Sequence, residues 1–317
     1  MKISFKHMIL LFFILINVFI ITKYKNNKDQ NKILKIGITQ IVEHESLNNA
    51  RQGFINELKN LGYEDGKNIK FDFHNAGGDL SNCESIARKF ANDRPDLILA
   101  ISTPSAQAAA NVIKDIPILI TAITNPEKSN LVKSNLTPCT NVTGTSDLPP
   151  VSKTIELIKK LKPNVQNIGI LYSNIDVSPS YQAQIADETI KTLGLDSKVA
   201  TVSQLSEIKQ VAEKIISECD ALYVPIDKIT AAGMPLISKI ALENNKFVVC
   251  SENLTDKGAA ASYGIDYYQL GKLTAKQAVE ILENRNIPQN MPIKYLEDTK
   301  LTLNEDIIKK LNLKFFE

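Results

Sequence analysis

The chain has 317 residues, 44% of them hydrophobic and 23% charged, which supplies two cores of ordinary domain size and argues against disorder. Net charge is +2 with Lys and Arg scattered along the chain, so the basic stripe that a phosphate backbone requires is missing and nucleic acid is not an expected partner. The four cysteines, Cys83, Cys139, Cys219 and Cys250, have neither metal-ligand nor disulfide-scaffold spacing and read as small buried hydrophobes.

At the N-terminus, Lys2, Lys6 and His7 precede an apolar run over 8–21, and Thr22, Lys23 and Lys25 follow it. The run is shorter than the roughly 20 residues of a full membrane span and suits an export signal. Neither a small-x-small cleavage site nor a lipidation cysteine follows it, which favours an uncleaved N-terminal anchor over a cleaved signal. Residues 26–31 are a polar tether. The rest of the chain is expected outside the cytoplasm, associated with the cell membrane through this segment.

From residue 33 the pattern reads strand 33–39, a polar loop, helix 47–61 and the helix-stopping Gly62, then strand 69–74, helix 79–92 and strand 96–101. Thr103 and Pro104 open the next helix, followed by strands 116–121 and 141–146. Asp147, Leu148, Pro149 and Pro150 break the pattern, and the order begins again: helix 151–161, strand 167–172, helix 179–193 capped by Ser178, strand 198–202, helix 206–217, strand 220–225, helix 230–244, strand 246–251, strand 259–265 and helix 267–283. Residues 293–311 form a tail of strand and helix. Gly169 and Gly194 follow Gly37 and Gly62 at one and the same offset, so the two halves read as copies of one design. Strands alternating with helices imply right-handed crossovers and parallel sheets. The predicted fold class is α/β, two Rossmann-like lobes joined by a multi-strand hinge. Residues 1–31 are the signal or anchor and tether. The first lobe covers 32–146 joined by about 266–290, and the second covers 147–265 joined by about 291–317.

In open parallel sheets, ligands bind beyond the carboxyl ends of the strands. That rule selects the loops 40–46, 102–105 and 122–126 in the first lobe and 173–178, 225–228 and 251–254 in the second. All are rich in Ser, Thr, Asn, Asp and Glu. Facing one another, they make a cleft of hydroxyls and helix N-termini for a carboxylate, with acids for an ammonium. Thr103, Ser105 and Thr124 are candidates for the carboxylate, and Glu43, Asp147, Asp227 and Glu252 for the ammonium. Each also suits a helix cap or turn. No dinucleotide glycine motif, P-loop or GxSxG is present, His44 has no neighbouring Ser or Cys, and no cofactor or metal is expected. A chain without Trp is a poor prospect for an aromatic-walled sugar site.

The segments IVEHESLNNARQGF, NIKFDFHNAGGDLSNCESIARKF, DLILAISTPSAQAAA, IPILITAITNP, NVTGTSDLPP, DALYVPIDK and YGIDYYQLGKLTAKQA resemble ABC transporter substrate-binding proteins of the tryptophan/tyrosine type over about 35–311. The resemblance implies a type I periplasmic-binding-protein fold with three crossovers and a ligand clamped by hinge closure. It places the ligand loops on Glu43 and His44, on Ser102, Thr103 and Ser105, on Thr124 and Asn125, on Ser146 and Asp147, on Asp227, and on Ser251 and Glu252. The chain departs from the family pattern in having Asn125 where Thr-Asp-Pro is frequent, Glu252 where Ser-Asp is frequent, and no lipidation cysteine. The expected function is that of a non-enzymatic, monomeric receptor that binds an amino acid such as Trp, Tyr or Phe and delivers it to ABC permease subunits. The same fold would also serve a ligand-sensing ectodomain of a signalling system or, more remotely, a two-lobed glycosyl transferase.

Overall fold

A computed structural model describes residues 33–175, 177–297 and 299–314; the N-terminal signal, anchor and tether fall outside the described residues. The first half folds as β1 (Leu34–Gln40), α1 (Glu45–Asn60), β2 (Ile69–Asn75), α2 (Leu80–Asp93), β3 (Leu97–Ile101), α3 (Thr103–Val112), β4 (Ile118–Thr121) and β5 (Val142–Ser146). The second repeats it as α4 (Val151–Leu161), β6 (Asn167–Ser173), α5 (Val177–Thr192), β7 (Asp196–Val202), α6 (Ile208–Ser217), β8 (Ala221–Val224), α7 (Lys228–Glu243), β9 (Phe247–Cys250) and β10 (Ala261–Gly264). The remainder comprises α8 (Tyr267–Leu282), β11 (Lys294–Tyr295), β12 (Lys300–Leu303) and α9 (Glu305–Lys310).

Two six-stranded sheets result, ordered β2-β1-β3-β4-β5-β11 and β7-β6-β8-β9-β10-β12. Pairing is parallel throughout except for the antiparallel β12 on β10. The five-strand order is the same in both halves, as the glycine offset predicts. Those glycines have a packing reason: a Cβ on Gly37 would approach the Phe90 ring to 2.9 Å, and one on Gly169 would approach Leu222 to 2.8 Å and the Cys219 sulfur to 3.0 Å. In each copy the bare backbone lets its covering layer close onto the sheet. The second copy is shortened mainly between its first helix and second strand, where 193–195 replaces the loop 61–68.

Both sheets are covered on both faces. On β3, Leu97, Leu99 and Ile101 pack with Phe54 and Leu58 of α1 and Ala275 and Ala278 of α8, while Ile98 and Ala100 face Phe90 of α2 and Ala106 and Ala109 of α3. Such strands read as continuous apolar runs, and β3 is fully buried. Cys83, Cys219 and Cys250 are buried as expected. Cys139 is exposed, because it occupies a left-handed turn (φ 54°) in the loop between β4 and β5.

The chain passes between the lobes after β5, after β10, and between β11 and β12. α8 returns to the first lobe and lies against α1 at backbone contact, so that a Cβ on Gly53 would fall 2.0 Å from the Tyr268 carbonyl oxygen and one on Gly271 2.0 Å from that of Ala50. Buried hydroxyls tie the same helix to the sheet: Thr145 donates to Thr121 at 3.0 Å and shares a hydrogen bond with Thr274 at 2.8 Å. The tail departs from the expectation that 291–317 belongs with the second lobe. β11 pairs with β5, and Met291 and Ile293 are packed in the first lobe; only β12 and α9, through Ile307 and Ile308, join the second.

Candidate ligand-binding site

The carboxyl ends of the inner strands of both sheets face a shared space, where three hydroxyls and one carboxylate form a connected network. Asp147 follows β5 at the first passage between lobes and is 7% exposed. Its Oδ1 accepts from Thr124 Oγ1 at 2.9 Å and its Oδ2 from the Tyr267 hydroxyl at 3.0 Å. Thr124 accepts in turn from Ser178 Oγ, in the first turn of α5, at 2.8 Å. That bond joins the two lobes. Ser146 supports the arrangement: its Oγ donates to the Thr124 carbonyl at 2.7 Å and accepts from the Leu148 N–H at 3.0 Å. Burial pushes the Asp147 carboxyl above the usual carboxylate range, against the pull of the Thr124 and Tyr267 hydroxyls. Among the described residues, no Lys, Arg or His neutralises it.

The N-terminus of α3 lies two strands away, about 10 Å at the usual strand spacing. Here Ser102 adopts φ 78°, a strained conformation for a residue with a side chain, and makes no side-chain cap bond. The first N–H groups of a helix have no intrahelical acceptor. Asp79, Asp227, Asp266 and Asn304 cap α2, α7, α8 and α9 with their own side chains, whereas α3, like α1, α4 and α6, makes no side-chain cap bond, and Thr103 is half-buried at its N-terminus. Ser105 is buried and turned under the helix, its Oγ 3.9 Å from the Cys83 sulfur.

The other candidate residues divide between the walls and the rim. Glu252, after β9, is half-buried; burial raises its carboxyl pKa and so does the charge of Asp227, while Lys257 and His44 oppose them. His44 belongs to the first lobe and is exposed at the start of α1, so this acid feels the opposite jaw across the cleft. Asp227 is engaged by backbone: Oδ1 accepts from the Thr230 N–H at 2.8 Å, and Oδ2 from the Ser173 N–H at 2.8 Å. Ser251 is buried in a 2.7 Å hydrogen bond with the Tyr223 hydroxyl. Asn125 is buried and builds its own loop, its Oδ1 accepting from the Lys128 N–H at 3.1 Å. Glu43 points outward and is held by Asn75 at 2.9 Å and Arg51 at 3.5 Å.

The structure therefore brings Thr124, Ser146 and Asp147 together, sets Ser102 and Thr103 two strands away on the same edge of the sheet, and gives Asp227, Ser251 and Asn125 positions in the supporting framework. Sequence reasoning missed Tyr267 and Gln182, and it read Ser178, in the selected loop 173–178, only as a helix cap. α5 begins at Val177, so Ser178 lies within the helix and is no cap; Gln182, one turn on, donates to Ser178 at 3.3 Å and accepts from the Ile226 N–H at 3.1 Å. Tyr267 carried a signal that went unused, a hydroxyl at the helix start immediately after a passage between lobes.

The family model for ABC transporter substrate binding proteins matches residues 35–317. The chain belongs to this family. Among relatives of this substrate-binding protein, a tyrosine-binding protein from Clostridioides difficile is 42% identical over 286 residues, covering 90% of this chain and 83% of that one. A ligand-free, open structure of a Clostridium difficile substrate-binding protein with adhesive properties is 43% identical, with a TM-score of 0.81 over 89% of this chain and 96% of that one. A Streptococcus pneumonia ABC domain in complex with L-Trp is 33% identical, with a TM-score of 0.74 over 89% and 96%. Solute-binding proteins at 13 and 17% identity share the type I periplasmic-binding-protein fold, with TM-scores of 0.64 and 0.61. Substrate-binding proteins of ABC transporters work outside the cytoplasm. No helix among the described residues is long and apolar enough to cross a membrane.

Proposed function

We propose that this substrate-binding protein clamps an aromatic α-amino acid between its lobes and delivers it to ABC permease subunits, acting as a monomer held at the membrane by its N-terminal segment. The reaction is binding and closure, with no covalent step. The observation that carries this reading is Asp147, a buried carboxylate held by neutral donors, with no cation against it among the described residues. A buried charge left in that condition is costly, and an ammonium group is the partner it lacks. The N-terminus of α3 with Thr103, two strands from Asp147 on the same edge of the sheet, supplies the complementary place for a carboxylate. The two charges of an amino acid fit that pair of sites. The tyrosine-binding relative and the L-Trp complex support an aromatic side chain.

A thermal-shift screen against the amino acids tests the substrate, since a ligand that binds only the folded state raises Tm by mass action. Tyr, Trp or Phe should raise Tm, and Asp147→Asn should remove the shift, with calorimetric affinity weakened by about 2 kcal/mol or more. Absence of a shift with every aromatic amino acid overturns the substrate assignment. Full affinity in Asp147→Asn overturns the ammonium site.

A further inference from the structure

The hydrogen atoms of the Asp147 chain can be followed one by one. Tyr267 has a single O–H and gives it to Oδ2; Thr124 has a single O–H, gives it to Oδ1, and can only accept from Ser178. Two hydroxyls therefore give their protons to the carboxylate, and Ser178 gives its proton to Thr124. Tyr267 is the first residue of α8, at the second passage between lobes, while Asp147 stands at the first, so this hydrogen bond joins two separate crossings of the chain. α8 is fixed to the first lobe by the Gly53 and Gly271 contacts and by the threonine ladder beneath it, which makes Tyr267 a rigid arm. We propose that Tyr267 is a positioning residue, whose hydroxyl fixes the direction of the Asp147 carboxylate and keeps it ionised for the ammonium group of the ligand.

This inference rests on the ammonium site proposed above. The hydroxyls of Thr124 and Tyr267 and a backbone N–H stabilise the buried anion, and removal of one donor makes ionisation harder. The other charges around the pair are known. Glu252 and Asp147 both push the Tyr267 hydroxyl toward staying protonated, after burial, so Tyr267 acts as a donor. His44 and Lys257 act on Glu252.

Tyr267→Phe removes one O–H and keeps the ring. In the ligand-free protein, the NMR titration midpoint of the Asp147 carboxyl should move to higher pH in this variant. With L-tyrosine or L-tryptophan as probe, affinity at neutral pH should fall about tenfold, and the acid limb of the affinity profile should move to higher pH. In a double-mutant cycle, adding Tyr267→Phe to Asp147→Asn should cost nothing further, since the hydroxyl acts through the carboxylate. An unchanged titration midpoint, or additive losses in the cycle, overturns the proposal; a merely structural tyrosine would lower Tm and leave both readouts where they were. Full affinity in Asp147→Asn overturns the ammonium site instead, and the ligand-free titration still decides whether Tyr267 governs the carboxylate.

Discussion

Asp147 is expensive for the empty protein. Its folded-state pKa is raised by burial, so the native chain holds that proton more tightly than the unfolded chain does. The stabilising contribution of the protonated form is complete below the unfolded pKa, about 3.9. It is lost as pH rises through the raised native value. Asp147→Asn should therefore raise the Tm of the ligand-free protein at pH 7 by a few degrees and flatten its dependence on pH in the acid range, as scanning calorimetry at several pH values would measure. A drop in Tm at pH 7 would mean that the hydroxyls compensate the charge without a ligand. Asp147 was legible in the sequence because it ends a strand and begins a proline break. Asp227 was equally legible, yet its two oxygens are taken by the Thr230 and Ser173 N–H groups. An acid after a strand is what both a helix cap and a ligand site require, and the sequence pattern does not say which backbone donors will arrive.

The helices and strands were legible to the extent that local rules set them. α4 spans Val151–Leu161 as the apolar spacing predicts, and the shared glycine offset announced a duplicated sheet order. The tail was not legible, because a two-residue strand such as β11 carries no periodicity, and its membership is decided by β5 alone. The α1–α8 crossing was equally hidden: Gly53 and Gly271 are far apart in sequence, and each looks like a weak point in its helix until the other is placed against it. Their close approach is between backbones, which have no rotamer to change. Gly53→Ala should destabilise the protein by about 1–3 kcal/mol or more, as overpacking does, measured by urea unfolding. Wild-type stability would show that α8 can retreat from α1. The same loss should weaken ligand binding, because α8 carries Tyr267.

At the scale of the whole molecule, the lobes are copies in sheet order and differ where the ligand work is done. The first supplies Thr124, Asp147, the open N-terminus of α3 and, through α8, Tyr267; the second supplies Ser178 and Glu252 from the equivalent side of its sheet. With α8 packed on the first lobe, the lobes are joined by the passages after β5, after β10 and between β11 and β12, the arrangement of a hinge that closes on a ligand. Ser178 reports on that motion. Its hydroxyl reaches Thr124 from the opposite lobe at 2.8 Å, a bond that exists only when the lobes are near each other. Opening the lobes breaks this bond, so Ser178→Ala should leave the first encounter with ligand untouched and weaken the closed complex alone. The loss of one such bond, about 0.5–1.5 kcal/mol, corresponds to roughly a two- to thirteenfold faster koff at constant kon, as stopped-flow measurements of tyrosine fluorescence or competition would resolve. A fall in kon with koff unchanged would place Ser178 on the entry path of the ligand and remove it from the closing contact.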